Sequence, residues 1–188
     1  NQFIHKTFAE YFSAVYIVKK LKQNEGKIID LFLNHIMNTE YKMLCKFADD
    51  LINLEDNIML SKEKIESTNG KLLYFLIENE CFNIASILIE NGIDTYYIEE
   101  KSKQSIFHLK FNENIDVLQK LLKVCEKETE KLKNILKLRN LYGNTPFIVT
   151  AVNGNASIFQ TLVETLKKLG IYESEMFAED GDGQNILH

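Results

Sequence analysis

Gly143-Asn144-Thr145-Pro146-Phe147-Ile148, followed by Ala151, Gly154-Asn155, Ile158 and Leu162, is the stretch that decides the fold. Its frame returns 40 residues later as Asp180, Gly183, Asn185, Leu187 and His188. It also stands 40 residues earlier as Lys103-Gln104-Ser105-Ile106-Phe107-His108, with its glycine lost. A period of this size predicts a solenoid of stacked supersecondary units, an architecture that commonly offers a surface to partners.

Each residue of the frame has a local physical role. Gly143 takes the positive φ of a tight turn without steric cost. Thr145 stands where an N-cap oxygen accepts a backbone N–H, and Pro146 follows at the first helical position, where a missing donor does no harm. Gly154 with Asn155 predicts a left-handed C-cap one short helix later. Ile158, Leu162 and Val163 then form the apolar stripe of a second, antiparallel helix. One such unit cannot bury its apolar face alone.

These residues resemble ankyrin repeats, whose pattern is D-x-x-G-x-T-P-L-H-x-A, then G-H/N, an I-V-x-x-L-L stripe and G-A-D. Asn140–Leu162 is similar to the whole unit, with Asn140 in the Asp place, and Asp180–His188 to an opening half. Ile84–Asp94 is similar to a closing half, preceded by Leu72–Ile77 as a first helix without Thr-Pro. The unit at Lys103 keeps Ser105, Phe107 and His108, then Leu118, Leu121 and Leu122. The resemblance implies an all-α fold, a helical solenoid of ankyrin-like helix-turn-helix repeats over residues 67–188. About four repeats are expected, the last truncated, preceded by a small helical segment, with strand content confined to turn bridges near Gly143 and Gly183. Ser105, His108, Gly143, Thr145, Pro146, Gly154, Gly183 and His188 take the structural positions of the repeat, the histidine rings bonding locally within their turns. Turns and first helices line the concave face in such solenoids. Gln104, Asn144 and Gln184, at equivalent finger positions, are therefore the candidate contacts to a protein partner.

The spacing departs from the family period of about 33. The surplus lies in Cys125–Leu138 and around Leu166–Phe177. Glu128–Lys131 and Glu130–Lys133 are i,i+3 pairs, and Leu132, Ile135 and Leu136 form an apolar stripe, which predicts second helices extended by one or two turns with a solvated charged face.

The N-terminus carries a second pattern, Phe3-Ile4-His5-Lys6-Thr7-Phe8-Ala9-Glu10-Tyr11-Phe12-Ser13-Ala14. Thr7-x-x-Glu10 reads as a capping box starting a helix, with Phe8, Tyr11, Phe12 and Val15 as an aromatic face. The segment resembles the F-x-H-x-T/S-F-x-E-Y/F-F-x-A motif that closes the winged-helix region of NACHT-type STAND NTPases. That resemblance implies packing against a nucleotide domain, with His5 in the nucleotide-sensing position at the β-phosphate of ADP. ADP or ATP would then belong to the full-length protein, with no cofactor in this segment. Residues 1–22 are read as the end of this region. Residues 23–66, with stripes Ile29, Phe32, Leu33, Ile36 and Leu44, Phe47, Ala48, Leu51, Ile52 broken at Asn38-Thr39, are a helical bridge or equally a decayed repeat.

Other chemistry is sparse. There is no G-x-x-x-x-G-K-[ST], and the four histidines and three cysteines do not cluster at metal-ligand spacing, so no metal and no catalytic residue is expected. Asp180–Asn185 resembles a calcium loop only faintly and lacks its twelfth-position carboxylate. The net charge of −5 argues against a nucleic-acid binder, and no apolar run approaches a membrane span. Cys45, Cys81 and Cys125, widely spaced and odd in number, predict reduced thiols and a cytoplasmic setting. One proline and eight glycines leave no linker-like segment. Asn1 stands inside a motif and His188 halfway through a repeat, so the chain reads as a fragment. The expectation is a non-enzymatic protein–protein interaction module, the ankyrin-repeat arm of a STAND-type switch protein. The alternative is an ankyrin scaffold or effector with no NTPase domain.

Overall fold

The computed structural model describes residues 2–23, 31, 41–52 and 70–187. The stripe Ile29–Ile36, the break at Asn38-Thr39, most of residues 23–66 and His188 lie outside the described residues, as does the side chain of His5. The described residues are helical, with a single isolated bridge between Ile98 and Ser105 in place of strands. They divide into two compact units, Asn1–Asp94 and Thr95–His188.

In the first unit, α1 (Gln2–Lys22) packs on α2 (Lys42–Leu51), and α3 (Lys71–Glu78) pairs with α4 (Phe82–Glu90). Helices α3 and α4 are apolar nearly all round and correspondingly buried. Their fully enclosed Leu73, Leu76, Ile77 and Leu88 each stabilise the fold by about 1.5–3 kcal/mol.

Two features of α1 correct the sequence reading. The helix begins at Gln2, so Thr7 and Glu10 lie inside it and form no capping box. A backbone donor that already has an i−4 acceptor needs no cap. Its buried face is Ala14, Ile17, Val18 and Leu21, whereas Phe8 and Phe12 are more than half exposed. Small and branched aliphatic residues let α1 approach α2 closely; of the aromatic row, Tyr11 alone reaches Phe47, edge-on at 5.6 Å.

A tertiary contact starts α4. Its N-cap residue, Cys81, offers no side-chain acceptor. Instead Asp49 of α2 turns inward, 3% exposed, and its Oδ1 accepts the Ile84 N–H at 2.7 Å. Asn83 Nδ2 donates to the Asp49 carbonyl at 2.9 Å, and Lys46 Nζ to the Glu80 carbonyl at 2.9 Å. Burial pushes the Asp49 carboxyl up to about 6, against the pull of the Ile84 and Asn83 amides and of Lys46. A folded-state value above the ordinary 3.8 contributes stability that is present below pH 3.8 and lost as the pH rises through about 6. Asp49→Asn keeps an acceptor and cannot ionise, so its stability relative to wild type is expected to rise by ~2 kcal/mol between pH 4 and 7. Urea melts across that range measure this, and parallel profiles would place the titration elsewhere.

In the second unit, a 3₁₀ turn (Ile106–His108) precedes α5 (Ile115–Cys125), and α6 (Thr129–Leu136) follows after a second 3₁₀ turn (Glu126–Glu128). Then come α7 (Pro146–Asn153), α8 (Ala156–Lys168) and the short α9 (Tyr172–Met176). Phe147 stacks on Phe159 with ring centres 4.8 Å apart and meets Tyr172 edge-on. The frame around Gly143 behaves as its residues dictate. Thr145 Oγ1 accepts the Ile148 N–H, Pro146 opens α7, and Gly154 ends it at φ 72°.

The surplus lengthens α8 only as far as Lys168, and most of it does not extend the second helices. The backbone breaks at Glu128 (φ −122°, ψ 62°) and at Gly170 (φ 70°), so each surplus forms a separate short helix, α6 or α9. Leu132, Ile135 and Leu136 are buried on the far side of the first break. The Glu128–Lys131 and Glu130–Lys133 pairs form on the solvent side, at 2.6 and 3.0 Å. The first helix of the Lys103 unit is reduced to the 3₁₀ turn, because Leu109 is extended and Asn112 takes φ 48° to turn Phe111 inward.

Candidate functional site

Three turns in the second unit repeat one geometry and stack on one another. In the middle turn, Asn140 Oδ1 accepts the N–H groups of Tyr142 and Asn144 at 2.9 and 3.0 Å, and the Asn140 N–H donates to the Asn144 carbonyl at 3.0 Å. In the last turn Asp180 Oδ1 accepts from Asp182 and Gln184, both at 2.9 Å, and the Asp180 N–H donates to the Gln184 carbonyl at 2.7 Å. The first turn is one residue longer: Glu99 N–H donates to the Gln104 carbonyl at 2.8 Å, and Glu99 Oε2 accepts the Ser102 N–H at 2.6 Å. Glutamate's extra methylene spans the extra residue. These hydrogen bonds hold the half-buried Glu99 carboxylate below its ordinary range.

Lys103, Gly143 and Gly183 all carry positive φ, at 58°, 76° and 76°. Lys103 therefore keeps the left-handed backbone of the two glycines although its turn is longer, and its side chain is carried there at a cost of about 1–2 kcal/mol.

Backbone bonds join the turns. Leu141 N–H donates to the Ser102 carbonyl at 3.0 Å, and Gly181 N–H to the Tyr142 carbonyl at 2.9 Å. Arg139 Nη1 donates to the Gly143 carbonyl at 2.7 Å and also to that of Glu179. His108, 3% exposed, accepts the Ser105 N–H on Nδ1 at 3.0 Å. Its Nε2 then carries the proton and donates to the Asn144 carbonyl at 3.1 Å. Burial, the largest effect, holds the ring below its ordinary 6.5, opposed by these carbonyl contacts.

The candidate contact residues sit at equivalent turn-closing positions but differ in access. Gln184 is exposed, Gln104 is half-buried, and Asn144 turns its Oδ1 inward, buried. Glu175 of α9 is buried nearby, its carboxyl raised chiefly by burial, with Lys137 and the Thr145 hydroxyl pulling the other way. Sequence reasoning missed the finger-tip side chains. Leu141 and Tyr142 are 64% and 71% exposed, and the available signal was two large apolar residues inside a turn, where polar residues are usual. It also missed Gly181, whose added Cβ would stand 2.8 Å from the Tyr142 carbonyl oxygen.

Among the described residues, no three His, Cys, Asp or Glu side chains converge as metal ligands, and no helix is long and apolar enough to cross a membrane. Cys45, Cys81 and Cys125 are buried thiols outside any disulfide, and burial pushes the first two up to about 12.

Neither a protein-family model nor a curated relative matches the sequence. A solved structure similar to the chain is that of the predatory endopeptidase Bd0816 of Bdellovibrio bacteriovorus in complex with the immunity protein Bd3460. The likeness has a TM-score of 0.49 at 16% identity, over 91% of this chain and 88% of that one. The expectation that this segment is not an enzyme is withdrawn, the similar structure being a complex that contains an endopeptidase. A likeness this distant assigns no reaction in its place.

Proposed function

We propose that the second unit is an ankyrin-like protein-binding module whose working surface is the side bearing the turns. The observation that carries this reading is an asymmetry of exposed apolar groups. Among the described residues of the unit, the large exposed hydrophobics are Ile98, Leu141, Tyr142, Val152, Phe177 and Leu187. All lie on turns, on α7 or on the segments flanking the turns; α5, α6 and α8 contribute none. Helices α6 and α8 and the 3₁₀ turn between α5 and α6 instead carry paired charges, with Lys168–Glu126 at 2.7 Å joining the two Glu–Lys pairs described above. Exposed apolar groups gathered on one side mark an interaction surface, and tyrosine is enriched among residues that dominate binding energy. A groove of about 230 Å³ lies at the junction of α7 and α8, lined by Thr150, Ala151, Gly154 and Phe159.

The test compares co-purified partners of wild type, Leu141→Ser/Tyr142→Ser and the back-face variant Glu126→Lys/Lys168→Glu. Partners lost with the finger-tip variant and kept with the back-face variant are expected, and the reverse would move the working surface to α5, α6 and α8. Membership of a STAND-type parent is supported by the motif around His5, which α1 carries as uninterrupted helix. A full-length sequence with no phosphate loop upstream of residue 1 would leave the scaffold reading.

A further inference from the structure

Helix α1 exposes a row of large apolar side chains that it does not bury against α2. Phe8, Phe12 and Tyr16 are 59%, 65% and 54% exposed, spaced by four residues so that they form one row along the helix. The row leads to Val15 and into a groove of about 440 Å³ with Val15, Val18 and Leu51 on its walls. Lys19 and Lys22, both exposed, and Gln23 stand at its end. Along its length α1 has four lysines against one glutamate, in a chain whose net charge is −5. A basic, aromatic element on an otherwise acidic chain selects for an occupant of opposite sign.

The arrangement of the cations narrows the occupant further. A helix lying on a lipid surface carries its lysines along the polar face over its length. Here three of the four stand in the last turn, beyond the apolar row, and the apolar surface ends in a concavity rather than a flat plane. We propose that this face of α1 docks an acidic amphipathic segment of a separate partner protein. Its apolar stripe lies along Phe8, Phe12 and Tyr16, one large apolar side chain enters the groove, and its carboxylates meet Lys19 and Lys22. The surface is independent of the finger-tip surface of the second unit.

A displayed library of random amphipathic peptides, selected against the whole chain, tests this. Each enriched peptide is then measured against Phe12→Asp, Lys19→Glu/Lys22→Glu and Leu141→Ser/Tyr142→Ser. The expected binders carry an apolar stripe ending in Asp or Glu and weaken at least ~10-fold on both α1 variants. They are expected to be indifferent to the finger-tip variant, and to regain binding to Lys19→Glu/Lys22→Glu when their own acids are changed to Lys. The double lysine variant leaves the apolar row intact, so it decides the matter even where Phe12→Asp proves unstable in a urea melt. Failure to enrich any peptide, enrichment without acids, or binding insensitive to the α1 variants overturns the proposal. So does Phe12-dependent binding to phosphatidylcholine–phosphatidylglycerol vesicles, which would assign the face to lipid.

Discussion

Gly143→Ala is expected to destabilise the second unit by about 3 kcal/mol, against about 1–2 kcal/mol for Gly154→Ala. Both glycines adopt nearly the same backbone, φ 76° and 72°. The conformational penalty of an L side chain is therefore common to the two variants. What differs is the neighbourhood. A Cβ on Gly154 meets nothing within 4 Å, whereas on Gly143 it would lie 2.5 Å from the Gly181 nitrogen and 2.9 Å from the Gly181 Cα. Backbone of the next turn cannot swing aside as a flexible side chain would, so the turns must separate. Separation strains the bond from Gly181 N–H to the Tyr142 carbonyl and those of Arg139. Urea midpoints for the two variants provide the comparison, and equal losses would mean that the turns are not held in contact.

His108→Leu is expected to cost about 2–4 kcal/mol, since it orphans the buried Ser105 N–H and removes the donor to the Asn144 carbonyl. The variant also carries a pH signature. With a folded-state value below the ordinary 6.5, the neutral ring contributes stability that is fully present above pH 6.5 and lost as the pH falls toward the folded value. Wild type should therefore lose stability relative to His108→Leu on acidification below pH 6.5. Hydrogen exchange at the Ser105 amide gives a local readout, with faster exchange in the variant. An unchanged Ser105 amide would show that the Nδ1 contact does not hold this turn.

The candidate site was legible where a residue acts on its own neighbours. Thr145, Pro146, Gly143 and Gly154 each meet a backbone requirement within four residues, so their types and spacing state the turn, the cap and the helix end. The 40-residue register survived even at Lys103, where the expected glycine is missing, because Glu99 and Ser102 supply the turn's hydrogen bonds locally. Less legible was the accessibility of Gln104, Asn144 and Gln184. Their equivalence was plain, but how much water each one sees depends on what packs over it, and α9 and its Glu175 fill space that a shorter unit would leave open.

Taken alone, the amino-acid order determined helical content, the positions of the turns and the apolar stripes, since period, caps and left-handed glycines are local physics. It could not determine which of two apolar faces α1 would bury. Both satisfy helical periodicity, and only the shape of α2 selects Ala14, Ile17, Val18 and Leu21 over the aromatic row. Nor could it reveal that Asp49 begins α4 from 35 residues away, a bond that exists only once two helices are brought together. The surplus residues were read as longer helices because charge pairs and a stripe continue through them. In the tertiary structure the backbone instead turns at Glu128 and Gly170 and sets them apart as α6 and α9. Close approach of Gly143 to Gly181 belongs to the same class, because a distance between successive turns is fixed by stacking and is written in neither turn.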